Sequence, residues 1–553
     1  MSAEPAVELT ENTVENAGID LDRVHVQNLP FHIGFKQHLG AVKAKKVRQM
    51  QQDAYISFET PEDAQLALKI LNGLEVKKTV LAAKLALTEV KRFQPKPEGE
   101  EQPIVSKTAK ESVTPLADVP YDEQLRRKDK DCSKLADRLL QQMSKAQVSI
   151  PKGTKAADVL KTIKPSPKIR QYRNKCEFTI GKTLDGEVCV GFVGGRFSKN
   201  QHYVIPLGDV DNVTSHCKTI VSEFQKFVIS TGLDPFDEFT RVGVWKMLTI
   251  REFSGDVMLI VTVFPFVNPE EERKMKKEVS EQFVNLATFE ERGFRVTSIY
   301  WHSLANASDS VPYEHVAGTP YIYETVLDCR FRVSPSAFFQ TNSQAAAVLY
   351  TTIGEACGFS ETAAVHVSED GEEPVAKRLK TADESSSTIL LDICCGTGTI
   401  GQCLMRKYGP GNDLCCVGVE MIASAVEDAK QNAKDNGIRN TKYIAGKAEE
   451  VFRSLKYYLP ANVSLNDSCV IGVLDPPRAG MHEKVILGCR EISKMRRLIF
   501  VSCDPSAAMK NIVDLCRPES KKFCGEPFKL DSIQPVDMFP QTAHFEWVVT
   551  LVR

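Results

Sequence analysis

The sequence predicts a multidomain α/β fold: a small α+β unit first, an α+β domain in the middle, and a doubly wound α/β domain at the C-terminus. Three observations predict it. The chain has 553 residues, which exceeds what one hydrophobic core supports and sets a prior of about three or four domains. Its last third holds apolar runs of strand length that end in a glycine turn, an acid or a cysteine, with helical patterns between them. Ahead of these, shorter strand-like runs alternate with only a few helical stretches, the pattern of antiparallel sheets with helices set to one side.

Composition narrows the function. Hydrophobic residues make up 42% and charged residues 26%, so the chain can bury a core and is not a disordered tether. The formal net charge of -2 argues against coating nucleic acid by bulk attraction and leaves local basic patches as the route to such a partner. No apolar run approaches membrane-spanning length and the stretch Met1 to Asn16 is polar and acidic, so a cytosolic monomer without a membrane partner is expected. None of the 16 cysteines forms a Cys-x-x-Cys pair, and Cys394-Cys395 and Cys415-Cys416 fall in strand-like runs. Free thiols are expected, with no metal and no iron–sulfur cluster.

Taken in order, residues 1–20 are read as disordered and 21–90 as the first compact unit. Val24-His-Val-Gln-Asn-Leu-Pro30 reads as a strand, Ala54 to Phe58 as another and Leu81 to Leu87 as the last, with helical patterns at Gly34 to Val42 and Glu62 to Leu71. With a short strand before Ala54 the order is βαββαβ, which resembles an RNA recognition motif (RRM). Two of its three aromatic places hold His25 and Asp53, and Tyr55 keeps the stacking position. Residues 91–167 are proline-punctuated linker. Within it, Tyr121 to Gln147 has Leu125, Leu135, Leu139 and Leu140 at helical spacing among many charges, and is read as a solvated charged helix in preference to one lying on a domain.

The central domain is placed at 168–332. It begins with the basic and aromatic segment Lys168 to Gly181, in which Arg170, Arg173 and Lys175 are candidates to hold phosphates and Tyr172 to stack on a base. A basic strand edge is the alternative. The final domain spans 333–553. Residues 359–388 interrupt it as an acidic, Ser/Thr/Ala-rich insertion read as disordered. Inside the insertion, Pro374-Val-Ala-Lys-Arg-Leu-Lys380 resembles a nuclear-localisation signal, which would add the nucleus to the cytosol.

The chemistry concentrates in this last domain. Asp392-Ile-Cys-Cys-Gly-Thr-Gly398 ends a buried strand in a glycine turn ahead of a helix, and it lacks both the phosphate-loop pattern and the third glycine of a dinucleotide fingerprint. An adenosine-type ligand without a pyrophosphate fits it. The next strand ends in Glu420, where a ribose diol finds its acceptor. A third ends in Asp475, followed by Pro476, Pro477 and Arg478. Leu498 to Asp504 carries Cys503 at a strand-to-helix junction, where the helix end is expected to lower a thiol pKa. A buried structural cysteine is the alternative for that stretch taken alone.

Together with Phe339-Gln-Thr-Asn342, Ser502-Cys-Asp-Pro505 and Phe539-Pro-Gln-Thr-x-His-x-Glu546, these pieces resemble the S-adenosylmethionine-dependent RNA uracil-5-methyltransferase family, in its animal tRNA branch. The likeness covers about Tyr172 to Arg553. It implies a Rossmann-like catalytic domain, S-adenosylmethionine as cofactor and tRNA as substrate, with the T-loop uridine as target. It implies Cys503 as covalent nucleophile at uracil carbon 6 and Glu546 as the base that removes the carbon-5 proton. By the same transfer Gln340, Glu420 and Asp475 bind the cofactor, Cys394 and Thr399 assist them, and Arg478 supports the target base. Asp504 departs from the family's usual Asn and puts a negative charge beside the thiol. Two rival readings are an RNA-binding chaperone with little catalysis, and a methyltransferase acting on uracil or cytosine C5 of another RNA.

Overall fold

The computed structural model describes residues 19–29, 42, 44–50, 53–76, 79–87, 107–195, 201–284, 286–306, 309–359, 387–410, 413–461, 463–478 and 480–553. The expected helix Gly34 to Val42, the N-terminus and insertion expected to be disordered, and the Lys377 to Lys380 cluster lie almost wholly or entirely outside these residues. The chain forms two compact units, 1–102 and 103–553.

In the first unit, strands Ile19–Gln27, Lys46–Met50, Asp53–Ser57 and Ala82–Leu87 form one sheet with the first strand between the third and the last. Alternation buries Val24, Val26, Ala54 and Ile56 against helix Pro61–Leu71, whose Thr60 cap accepts from the Asp63 N–H. The opposite face carries His25 and Tyr55 as a cross-strand pair, with ring centroids 4.3 Å apart and planes within 3°. Asp53 lies 3.4 Å from His25.

The second unit holds two seven-stranded sheets. The central one runs Glu314–Gly318, Arg295–Ser303, Asp256–Val263, Trp245–Phe253, Lys175–Lys182, Val188–Gly194, Tyr203–Pro206, and helices Ser215–Thr231 and Pro269–Phe283 cover it. A hairpin follows, Ile322–Val326 with Cys329–Val333, whose Ile322, Val326, Phe331 and Val333 pack into the core of the last domain. The expected division at 332/333 thus falls inside its second strand.

The last domain begins structurally with a helix from the supposed linker. Helix α1 (Tyr121–Lys145) buries Cys132, Ala136, Leu139, Leu140 and Met143 in the core under the sheet of the last domain, so it is not a solvated helix. Helix α2 (Ser343–Cys357) covers the other face. Between them lie β1 (Thr388–Ile393), α3 (Thr399–Tyr408), β2 (Leu414–Glu420), α4 (Ala423–Asp435), β3 (Thr441–Ala445), β4 (Cys469–Leu474), α5 (Glu483–Glu491), β5 (Met495–Ser502), α6 (Pro505–Cys516), β6 (Lys529–Val536) and β7 (Glu546–Val552). The order across the sheet is β3-β2-β1-β4-β5-β7-β6. Strands β1 to β5 are parallel and β7 is antiparallel to both neighbours. The central strands read as continuous apolar runs because both faces are covered.

One buried ion pair ties α1 to the end of this sheet. Lys128 Nζ lies 2.6 Å from Asp537 Oδ1, with side chains 1% and 0% exposed. Removing one partner alone strands the other charge in the core, at a cost of about 3–5 kcal/mol. Among the described residues no helix is long and apolar enough to cross a membrane.

Candidate active site

Parallel strands deliver their carboxyl ends to one edge of the sheet, where open α/β folds bind ligands. After β1 the chain turns through Cys394, Gly396 and Gly398 with φ of 64°, 53° and 77°. Glycine is needed twice for different reasons. A Cβ at Gly398 would stand 2.7 Å from Gln402 Nε2, whereas one at Gly396 would meet nothing within 4 Å, so the turn is packed below and open above. The Gly401 N–H donates to Asp392 Oδ2 at 2.9 Å and ties β1 to α3. Burial pushes Asp392 up to about 7, with Asp475 and Glu420 adding to it against that hydrogen bond.

Glu420 closes the side of this opening. Its Oε2 accepts from the Gly396 N–H at 3.1 Å and its Oε1 from the Ile422 N–H at 3.0 Å, so the carboxylate is held in place before any ligand arrives. Beside it Met421 and Ile422 are 72% and 58% exposed, apolar rim residues that sequence reasoning passed over because they follow the strand rather than fill it. Asp475, at the end of β4, is half-buried and burial lifts its carboxyl to about 7. Cys394 is half-buried near Met481, and burial pushes its thiol up to about 12. Thr399 Oγ1 accepts from the Tyr350 hydroxyl at 3.2 Å. Gln340 is buried, its carbonyl held by Asn174 Nδ2 at 2.9 Å.

Cys503 and Glu546 are brought together by β5 and β7. Ser502 pairs with Trp547 across these antiparallel strands, so Cys503, one residue on, and Glu546, one residue back, leave the sheet side by side. Cys503 is half-buried and Glu546 is 3% exposed. Burial raises the Cys503 thiol, Glu546 and Asp475 add to the rise, and a hydrogen bond and positive charge from Arg478 oppose it. The expected lowering by the helix end is therefore not what dominates. Asp504 is also not the charge that bears on the thiol: its carboxylate caps α6, accepting from the Ser506 and Ala507 N–H groups. Burial, with Asp475 adding and Arg478 opposing, holds Glu546 well above the usual carboxylate range, and its Oε2 accepts no hydrogen bond.

Outside this cluster the basic segment needs correction. Tyr172 is 5% exposed and its hydroxyl donates to the Pro540 carbonyl at 2.9 Å, so it is a packed strut and not a free stacking ring. Arg170 is exposed, and Arg173 and Lys175 are half-buried. Sequence spacing missed this because the ring points inward from a segment whose other side chains are charged. Tyr55 lies in the first unit and is already stacked on His25, with the Arg23 guanidinium 4.8 Å from its ring centroid.

A model of a methyltransferase domain matches residues 384–527. The human tRNA (uracil-5-)-methyltransferase homolog A is 34% identical over 97% of this chain and 83% of its own length. The human homolog B is 33% identical over 80% of this chain and 83% of its own. The crystal structure of Pyrococcus abyssi tRNA (uracil-54, C5)-methyltransferase with S-adenosyl-L-homocysteine superposes with a TM-score of 0.52, covering 87% of this chain and 91% of that one. At 20% identity that likeness is one of fold. The chain belongs to the tRNA (uracil-5-)-methyltransferase family and is an S-adenosylmethionine-dependent enzyme that methylates carbon 5 of uracil in RNA.

Proposed function

We propose that the protein methylates the T-loop uridine of cytosolic tRNA, the position 54 named for the archaeal structure, through a covalent adduct on Cys503. The observation that carries the mechanism is the Cys503–Glu546 pair at the ends of β5 and β7, with Arg478 the cation that opposes the rise of the thiol. Carbon 5 of uracil is a poor nucleophile. Attack of the Cys503 thiolate on carbon 6 forms the C–S bond and moves the ring electrons into an enolate, which makes carbon 5 nucleophilic. S-adenosylmethionine, when bound, supplies an electrophilic methyl group on its sulfonium. Glu546 then takes the carbon-5 proton, the ring double bond re-forms and the C–S bond breaks. A carboxylate with raised proton affinity suits that step.

The cofactor fits the residues present. The open space above Gly396 admits a ligand close to the backbone, the pre-held Glu420 suits a ribose diol, and Met421 and Ile422 offer apolar cover to a flat base. Gln340, Asp475, Cys394 and Thr399 complete the assigned set. To reach Cys503 in a folded RNA the uridine is turned out of its stack. The first unit is read as an RRM-like domain, on the strength of its strand order and helix.

Incubation of the protein with labelled cofactor and a tRNA transcript tests the reading. The expected product is 5-methyluridine in the T-loop, whereas tight tRNA binding with no such nucleoside would favour the chaperone reading. The basic segment gives a second expectation. Joint replacement of Arg170, Arg173 and Lys175 by alanine should weaken tRNA binding and flatten its dependence on salt, by a slope of roughly one for each phosphate that is no longer neutralised. An unchanged slope returns the segment to an ordinary basic edge.

A further inference from the structure

The turn that joins β6 to β7 is held more tightly than joining two strands requires. Helix α1 reaches it with Lys128 Nζ on Asp537 Oδ1 (2.6 Å) and the Phe539 carbonyl (3.0 Å), and with the Tyr121 hydroxyl on Asp537 Oδ2 (2.9 Å). Gln124 Oε1, also on α1, accepts from the Gln541 N–H at 2.7 Å, while the Leu116 N–H donates to the Gln541 carbonyl at 3.0 Å. Two more distant segments join in, Tyr172 at the Pro540 carbonyl and Asn342 Nδ2 at the Met538 carbonyl (3.2 Å). Gln541 is thereby kept at φ 67°, a left-handed conformation that a non-glycine residue holds only when its surroundings impose it.

Stability alone is a poor reason for this arrangement, since a buried ion pair often does no better than apolar side chains of similar volume. Geometry is a better one. Five residues beyond Gln541 the chain reaches Glu546, whose Oε2 is buried without any hydrogen-bond partner, so no polar contact at that oxygen fixes the carboxylate. Its place is set by the backbone on either side, by the β5–β7 ladder after it and by this turn before it.

We infer that Lys128 and Asp537 are positioning residues for the proton-removal step: through them α1 fixes the turn that sets where the Glu546 carboxylate stands. The inference rests on Glu546 being the base. A supposed linker helix is then part of the catalytic apparatus, acting at a distance of 409 residues along the chain.

The test replaces both charges at once, Lys128→Met with Asp537→Asn, so that no ion is left unpaired in the core. Single-turnover reactions with radiolabelled tRNA and S-adenosylmethionine are resolved on denaturing gels, with enzyme concentration corrected for folded fraction from the melting curve. Methyl transfer into the covalent species should stay within a few-fold of wild type. Release of product should slow by roughly 10- to 100-fold, the scale of an ångström-sized misplacement, and the RNA–protein band should accumulate. Tyr121→Phe, which removes one hydroxyl and leaves the ion pair, should shift the same ratio in the same direction by a few-fold and serves if the double variant does not fold. A wild-type ratio of adduct to product per folded enzyme would overturn the inference and leave α1 a structural helix. Glu546→Gln run in parallel separates the two levels. If it accumulates adduct and the α1 variants do not, only the positioning role fails; if it accumulates none, the base assignment fails and the inference with it.

Discussion

Replacing Cys503 by alanine is expected to abolish methyl transfer to tRNA, by roughly four orders of magnitude or more, because the proposed reaction passes through its bond to carbon 6. Cofactor binding should survive. The charged groups that bear on Cys503 are Glu546, Arg478 and Asp475, while the Gly396 turn and Glu420 hold one another without it. The thiol is half-buried, so losing it should change stability by only about 1 kcal/mol. Titration calorimetry with S-adenosylhomocysteine and a thermal melt check both points. Transfer of labelled methyl by Cys503→Ala at a rate near wild type would remove the covalent step.

Glu546→Gln should fail at a different place. Gln keeps the shape of the side chain between Phe545 and Trp547, which are 5% and 0% exposed, so the strand end should pack as before. Cys503 remains able to attack and carbon 5 to take the methyl group. Proton removal is lost, and release should slow by about two to four orders of magnitude. Relieved of a neighbouring carboxylate, the Cys503 thiol should also titrate lower than in the native protein, because the Glu546 charge contributes to its rise. The measurement is the ratio of bound to free methylated RNA after one turnover. Free turnover would move the base elsewhere. Asp504 is an unfavourable substitute because its carboxylate already accepts two helix N–H groups.

Much of the site was legible because parallel strands buried on both faces read as unbroken apolar runs. The first residue to break such a run marks the ligand edge at Glu420 and Asp475, and the strand-to-helix junction ahead of Pro505 marks Cys503. What could not be read is what depends on partners far along the chain. The β5–β7 register that sets Cys503 beside Glu546 joins an antiparallel strand to a parallel sheet, and nothing local to either strand specifies it. Helix α1 reads as solvated from the sequence because its buried stripe contains Cys132, Ala136 and Met143, small or soft side chains outnumbered by charges. Lys128 read as one more of those charges, although it is 1% exposed. Tyr172 is the reverse case, a ring that reads as available among basic residues and is packed with its hydroxyl on the Pro540 carbonyl.

The most direct test of the covalent mechanism is mass spectrometry of the species trapped by Glu546→Gln. The protein is reacted with tRNA and S-adenosylmethionine, denatured, and digested with nuclease and protease. The expected result is one modified peptide, containing Cys503 and carrying a uridine nucleotide whose mass includes the added methyl group. A trapped nucleotide on a different cysteine, such as Cys394, or methylated tRNA formed with no protein-bound nucleotide at all, would contradict it.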